Sequence, residues 1–111
     1  MIYTYKAKVI KVVDGDTIDV NIDLGFHFEH KDQRIRLFGL NAPEVRGKER
    51  AAGIETKLWL KSQIEDKEIE LVSIKHKKGK YGRWLGIIKL GTRNLNQEMI
   101  DQGLAEAVSY N

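Results

Sequence analysis

The sequence has no cysteine among its 111 residues, which excludes disulfide bridges, thiolate zinc sites and a cysteine nucleophile. It has a single proline, Pro43, and no apolar run near the roughly 18 residues that a membrane span needs. We therefore expect no membrane partner. The first residues lack the pattern of a signal peptide, so we expect a cytoplasmic protein unless a precursor is processed. Neither sign of charge predominates: 19 Lys and Arg against 16 Asp and Glu give +3, which is compatible with a polyanionic partner but indicates none alone.

The composition is that of a globular protein, with 41% hydrophobic residues, and the length fits one domain over residues 1–111. Alternating β-branched residues predict five strands, near residues 6–13, 18–23, 34–40, 69–74 and 84–90. The polar stretch 25–32 predicts a hairpin connection. Helical spacing predicts one helix over about 51–64 and another from the Asn94 cap to Gly103. We expect an α+β fold with one helix after the third strand and one after the fifth.

Two carboxylates flank a glycine between the first two predicted strands, as Asp14, Gly15 and Asp16. Two interpretations are open. The aspartates can simply make a tight turn in which Gly15 takes a positive φ. Alternatively, they present hard oxygen ligands for Ca²⁺ or Mg²⁺.

The third predicted strand, near residues 34–40, contains Arg36, and Glu44 follows shortly after that strand ends. Arg36 alternates with Leu37, so we expect it to be either exposed or directed into a ligand cleft.

A basic loop carries Lys80, Tyr81 and Arg83, and it is either solvated or part of a binding surface. Phosphodiester hydrolysis requires a metal ligand, a base and cations for the transition state, and Asp16, Glu44, Arg36 and Arg83 supply these groups.

Four segments in the same order and spacing resemble the staphylococcal nuclease (thermonuclease) family: residues 13–17, 36–44, 80–83 and 96–105. The resemblance covers about residues 5–110. It implies a five-stranded OB-fold barrel with helices and Ca²⁺-dependent cleavage of DNA and RNA at the 5′ P–O bond, with little sequence preference. It also implies a monomer that favours single-stranded or frayed nucleic acid, and the family's type member is secreted.

The resemblance also implies roles for individual residues. Asp16 matches the metal-ligand aspartate, and Asp14 matches an aspartate that supports the site through water. Arg36 and Arg83 match the phosphate-binding arginines, and Glu44 matches the residue usually assigned as the general base. Lys80 and Tyr81 match positions that contact the nucleotide.

The sequence departs from the family pattern at the predicted metal site. Asn41 stands where the type member has a second ligand aspartate, and Ala42 stands where a threonine supplies its backbone carbonyl. We expect Asn41 and the Ala42 carbonyl still to face the metal, but with weaker binding because one negative charge is missing. The chain also stops before the family's last helix, and Tyr110 is displaced from the family's tyrosine, so we assign it no role. The alternative function is an OB-fold nucleic-acid-binding module with weak or no catalysis.

Overall fold

The structure is a computed structural model that describes residues 3–74 and 84–109. Within those residues the elements follow in chain order: β1 (Tyr3–Asp14), β2 (Thr17–Gly25), β3 (Phe28–Leu37), β4 (Leu40–Asn41), a 3₁₀ turn (Gly47–Glu49), α1 (Arg50–Ile64), β5 (Glu68–Ser73), β6 (Trp84–Leu90), β7 (Arg93–Asn94), α2 (Leu95–Asp101) and β8 (Glu106–Ala107). No helix in the described ranges is both long and apolar enough to cross a membrane.

Five long strands form a closed barrel. β1 pairs with β2 and β5, β2 pairs with β3, and β5 pairs with β6, all antiparallel. The barrel closes through a short parallel pairing of β3 with β6, in which Ile35 lies opposite Trp84 and Leu37 opposite Gly86. The prediction of an α+β OB-fold barrel is confirmed, with α1 after the third long strand and α2 after the fifth.

The alternating apolar residues of the strands point into one core. Val9, Ile18, Val20 and Leu37 are fully buried there, and Leu60 from α1 covers the barrel. The predicted N-cap of α2 is confirmed, because Gln97 N donates to the Asn94 side-chain oxygen at 3.1 Å. The core therefore fixes β2 and β3, whose outer faces and ends carry the candidate site.

Two predicted boundaries were wrong. The predicted connection 25–32 is mostly strand: β2 runs to Gly25, β3 starts at Phe28, and Phe26 and His27 form a two-residue turn with positive φ. Residues 23–32 are all exposed, so no core-facing alternation marks this part of the hairpin. The predicted strand 34–40 is also interrupted, because Gly39 adopts φ 82° and separates β3 from β4.

A buried asparagine joins three parts of the chain beneath this region. Asn96, in the first turn of α2, accepts from Ile88 N at 3.0 Å. Its amide nitrogen donates to Phe38 O at 2.9 Å and to Gly86 O at 3.1 Å. Asn96 thus ties α2 to the β3–β6 pairing and to the turn that leads into β4.

Candidate active site

A polar cleft of about 660 Å³ opens beside the turn between β1 and β2. Its walls come from that turn, the outer face of β3, the segment after β4 and the residues that follow α2. Among the lining residues are all the predicted site residues that lie in the described ranges: Asp14, Asp16, Arg36, Asn41, Ala42 and Glu44. The fold therefore brings together side chains that are up to 30 positions apart in the sequence.

Asp16 is the most firmly held carboxylate of the cleft, with only 9% of its surface exposed. Its Oδ1 accepts from Thr17 Oγ1 at 3.0 Å, and its Oδ2 accepts from Ala42 N at 3.1 Å. Its backbone oxygen accepts from Leu37 N at 2.8 Å. These bonds connect the β1–β2 turn to β3 and to the segment after β4, so the carboxylate has a fixed position in the cleft.

Arg36 bridges two of the predicted metal ligands. Its Nη1 lies 3.4 Å from Asp16 Oδ2, and its Nη2 donates to the side-chain oxygen of Asn41. Leu37, its neighbour in β3, is fully buried on the opposite face. Of the two interpretations open for Arg36, the structure supports the one in which the side chain faces a cleft.

Gly15 has a different reason for being glycine from the one predicted. Its φ is not positive, so the prediction that Gly15 adopts a left-handed conformation in the turn was wrong. A Cβ at Gly15 would lie 2.7 Å from Thr56 Cγ2 and 2.9 Å from Ala42 Cβ. Glycine is required because α1 and the segment after β4 pack directly against the turn that carries Asp16.

Glu44 lies on the rim of the cleft with its side chain exposed. Its backbone nitrogen donates to Glu49 Oε2 at 3.0 Å. Glu49 and Glu106 also line the cleft, and the sequence analysis missed both. An acidic residue beside a helix start is ordinary, because it complements the helix dipole, so Glu49 carried no distinguishing signal.

The cleft is acidic over the part of the chain that the structure describes. Five carboxylates and one guanidinium line it there: Asp14, Asp16, Glu44, Glu49, Glu106 and Arg36. A phosphodiester brought against these carboxylates meets like charges at short range, and such contacts are unfavourable in a partly desolvated site. This lining therefore favours phosphate binding only when additional positive charge is present.

The predicted cation ligands are of the types that fit a hard cation. Asp16 has a carboxylate, Asn41 has an amide oxygen that already accepts from Arg36, and Ala42 has a backbone carbonyl. Oxygen ligands of these kinds suit Ca²⁺ or Mg²⁺ rather than a softer metal. In residues 3–74 and 84–109, however, no three Asp, Glu or His side chains form a metal-binding cluster. These three predicted ligands therefore fit a hard cation by donor type, but only Asp16 among them carries a negative charge.

Three predicted site residues, Lys80, Tyr81 and Arg83, lie outside the described residues, as does Tyr110. Their predicted roles remain predictions. In the sequence, Arg83 directly precedes Trp84, the first residue of β6. β6 pairs with β3, with Trp84 opposite Ile35 and Leu85 opposite Arg36.

A closed barrel of this topology with helices in these two places is an SNase-like OB-fold domain. The model of the family described as staphylococcal nuclease homologue matches residues 34–111. The chain therefore belongs to the staphylococcal nuclease homologue family.

Several curated proteins are similar over nearly the whole chain. A thermonuclease of Staphylococcus hyicus is 33% identical over 106 residues, which cover 93% of this chain and 59% of that protein. An uncharacterized endonuclease of Haemophilus influenzae is 32% identical, over 91% of this chain and 51% of that protein. A micrococcal nuclease of Shigella flexneri is 26% identical, over 96% of this chain and 60% of that protein. The chain thus spans between half and three-fifths of the length of these relatives.

Proposed function

We propose that this protein is a divalent-cation-dependent nuclease that hydrolyses phosphodiester bonds in DNA and RNA with little sequence preference. The observation that carries the proposal is the shared cleft of Asp16, Arg36 and Glu44, which lie on three separate segments of the chain. The nuclease names of the relatives point to the same chemistry. A module that only binds nucleic acid would gain nothing from Glu44, because a carboxylate there repels phosphate.

Each side chain of the cleft has a defined part in this proposal. Asp16, Asn41 and the Ala42 carbonyl would hold a cation, probed first as Ca²⁺, and Asp14 would support it through water. A divalent ion in that position supplies polarisation of a phosphoryl oxygen. Arg36, together with Arg83, binds the phosphate and stabilises the charge that develops on its oxygens. Glu44 accepts a proton from the attacking water.

The acidic lining gives a physical reason for cation dependence. Five carboxylates against one arginine leave the described part of the cleft unattractive to a polyanion. A cation held by Asp16, Asn41 and the Ala42 carbonyl would offset part of that repulsion. Lys80 and Tyr81 would contact the nucleotide, and, as the family resemblance implies, the protein would be a monomer that prefers single-stranded or frayed substrate.

A cleavage assay tests the proposal directly. Plasmid DNA and single-stranded RNA are incubated with Ca²⁺, Mg²⁺, Mn²⁺ or excess EDTA, and products are separated on gels. We expect cleavage of both substrates with at least one cation and none in EDTA. Arg93→Gln serves as the control variant, because Arg93 is paired with Glu98 and neither residue lines the cleft.

Two outcomes would contradict the proposal. Full activity in EDTA would remove the cation from the mechanism. Binding of a labelled oligonucleotide without cleavage under any of the cations would favour the alternative function, a nucleic-acid-binding OB-fold module.

A further inference from the structure

The structure assigns a positioning role to Glu49 and Gly53, which fix the backbone of Glu44 from two sides. The inference rests on the proposed function, in which Glu44 is the general base. Neither residue would touch substrate in this role. Each acts through Glu44, whose own side chain is exposed on the rim of the cleft.

Glu49 holds the amide side of the Glu44 peptide. Glu44 belongs to a stretch, residues 42–44, that is neither helix nor strand, so its N–H has no partner from a ladder or a helix. That N–H donates instead to Glu49 Oε2 at 3.0 Å. Because a backbone N–H needs an acceptor, this hydrogen bond favours one arrangement of the short loop. Glu49 therefore closes the loop between Glu44 and the start of α1.

Gly53 holds the carbonyl side of the same residue. A Cβ at Gly53 would overlap the Glu44 carbonyl oxygen, and it would lie 2.5 Å from the Glu44 carbonyl carbon and 2.8 Å from Val45 N. Gly53 lies inside α1 and is buried. Glycine is one of the poorest helix formers, so helix formation alone disfavours it at this position. Contact between the helix backbone and the Glu44 peptide accounts for its presence.

The same face of α1 also contacts the other walls of the cleft. Thr56, one turn further along, packs against Gly15 in the turn that carries Asp16. Thr56 Oγ1 donates to Leu104 O at 2.7 Å, and Leu104 lines the cleft. Glu44 and Asp16 are thus positioned against one rigid helix. A general base must lie within hydrogen-bond reach of its proton, and a displacement of about 1 Å can cost about 100-fold in rate.

The first experiment compares Gly53→Ala with the wild type in kcat and KM on a fluorogenic oligonucleotide. We expect kcat to fall about 10–100-fold, with KM changed less than about threefold, because the added methyl displaces Glu44 and leaves phosphate binding intact. Ala52→Gly is the matched control: Ala52 is an exposed neighbour in α1, so this change weakens the helix without touching Glu44. We expect it to leave kcat unchanged.

The second experiment separates a positioning role from a general structural one by using Glu44→Gln as background. If Gly53 acts through the Glu44 carboxylate, Gly53→Ala lowers kcat in the wild type and has no further effect in Glu44→Gln. Losses that simply multiply in the double variant would overturn the inference. Glu44→Gln that keeps wild-type kcat would instead refute the general base of the proposed function, whatever Gly53→Ala does.

The Glu49 variants decide the question if Gly53→Ala does not fold. Glu49→Ala removes the acceptor for Glu44 N–H, and we expect kcat to fall about tenfold, with KM nearly unchanged. Glu49→Gln keeps a side-chain oxygen acceptor, and we expect it to recover most of that loss. A Glu49→Gln variant as inactive as Glu49→Ala would overturn the positioning role, because the Glu49 charge itself would then take part in the chemistry. Wild-type kcat in Glu49→Ala would equally overturn it.

Discussion

The Arg36 guanidinium lies between Asp16 and Asn41, with Nη1 at 3.4 Å from Asp16 Oδ2 and Nη2 donating to the Asn41 side-chain oxygen. One planar fork therefore orders two of the oxygens that we propose as cation ligands. The same fork geometry matches two oxygens of a phosphate, which a lysine ammonium cannot reproduce. Arg36 is thus placed to contact the proposed cation ligands and, in the proposed function, a phosphate of the substrate.

Replacement of Arg36 by alanine is predicted to reduce turnover more than substrate affinity. An arginine that contacts developing charge acts mainly in the transition state, and loss of such a donor costs roughly 3–4 kcal/mol, or about 100–1000-fold in kcat. Arg36→Lys should recover only a small part of this, because lysine cannot donate to both oxygens at once. Steady-state kcat and KM on an oligonucleotide measure the effect, with Arg93→Ala as the control, because Arg93 pairs with Glu98 outside the cleft. A change confined to KM would contradict the assignment.

Asn96→Ala is predicted to destabilise the fold without touching a cleft side chain. The change removes three hydrogen bonds, to Ile88 N, Phe38 O and Gly86 O. Gly86 O keeps its hydrogen bond from Phe38 N, whereas Ile88 N and Phe38 O each lose the bond to Asn96. Each such loss costs about 1–3 kcal/mol, so we expect a loss of at least about 2 kcal/mol in the free energy of unfolding. Urea denaturation followed by circular dichroism measures it. Gln97→Ala, an exposed neighbour in α2, should change the stability by under about 0.5 kcal/mol. Equal stability of the two variants would contradict this role for Asn96.

Much of the fold could be predicted from the sequence because burial leaves a periodic pattern. Ile18 and Val20 alternate with polar residues, and both are fully buried in the barrel. The outer end of the β2–β3 hairpin escaped prediction because it extends beyond the core, where neither face of the ladder is covered. Barrel closure could not be predicted from periodicity for another reason. It depends on the pairing of Ile35 with Trp84, a contact between distant strands that the pattern of neither strand indicates.

The candidate site could be predicted only in part. Asp16, Arg36 and Glu44 were found because their residue types and the family resemblance suggested a common chemistry, and the structure places them in one cleft. Glu49 and Gly53 were missed because their importance lies in tertiary contacts with the Glu44 backbone, which no local sequence pattern indicates.

The Arg93–Glu98 pair at the start of α2 predicts a specific pH dependence. Arg93 Nε and Nη2 donate to the Glu98 carboxylate, both at 2.8 Å, and these hydrogen bonds lower the pKa of Glu98 below its ordinary value. Because the folded-state pKa is depressed, the pair stabilises the fold at pH values above the unfolded glutamate pKa. That contribution is lost as the pH falls through the folded pKa.

The measurement is an NMR titration of the Glu98 carboxyl group in the wild type and in Arg93→Gln. We expect the variant to raise the Glu98 pKa towards its ordinary value, since both the hydrogen bonds and the positive charge are lost. Arg34→Gln, which removes a distant ion pair with Asp19, should leave the Glu98 titration unchanged. An unchanged Glu98 pKa in Arg93→Gln would show that Arg93 does not pair with it in solution.

Asn41→Asp is predicted to tighten cation binding. In the proposed ligand set only Asp16 carries a full negative charge, while Asn41 contributes a neutral amide oxygen that already accepts from Arg36. A second carboxylate increases the attraction for a divalent ion, and the number of charged ligands tunes Ca²⁺ affinity over orders of magnitude. The new carboxylate would also pair more strongly with Arg36 than the amide does, which offsets part of the gain. We therefore expect about a tenfold decrease in the Ca²⁺ Kd rather than a larger one.

Calorimetric titration with Ca²⁺, with and without a nucleotide, is the direct test. Asn21→Asp provides the matched control, because Asn21 lies on β2 outside the cleft and its Oδ1 accepts from Asp32 N, a bond that aspartate can keep. The control should leave the Ca²⁺ Kd unchanged although it adds the same charge. Turnover of Asn41→Asp should stay level or fall, because a second carboxylate partly neutralises the cation's effect on the phosphate. Equal Ca²⁺ affinity of the wild type and Asn41→Asp in both settings would mean that Asn41 does not face the cation, and its place in the ligand set would then be withdrawn.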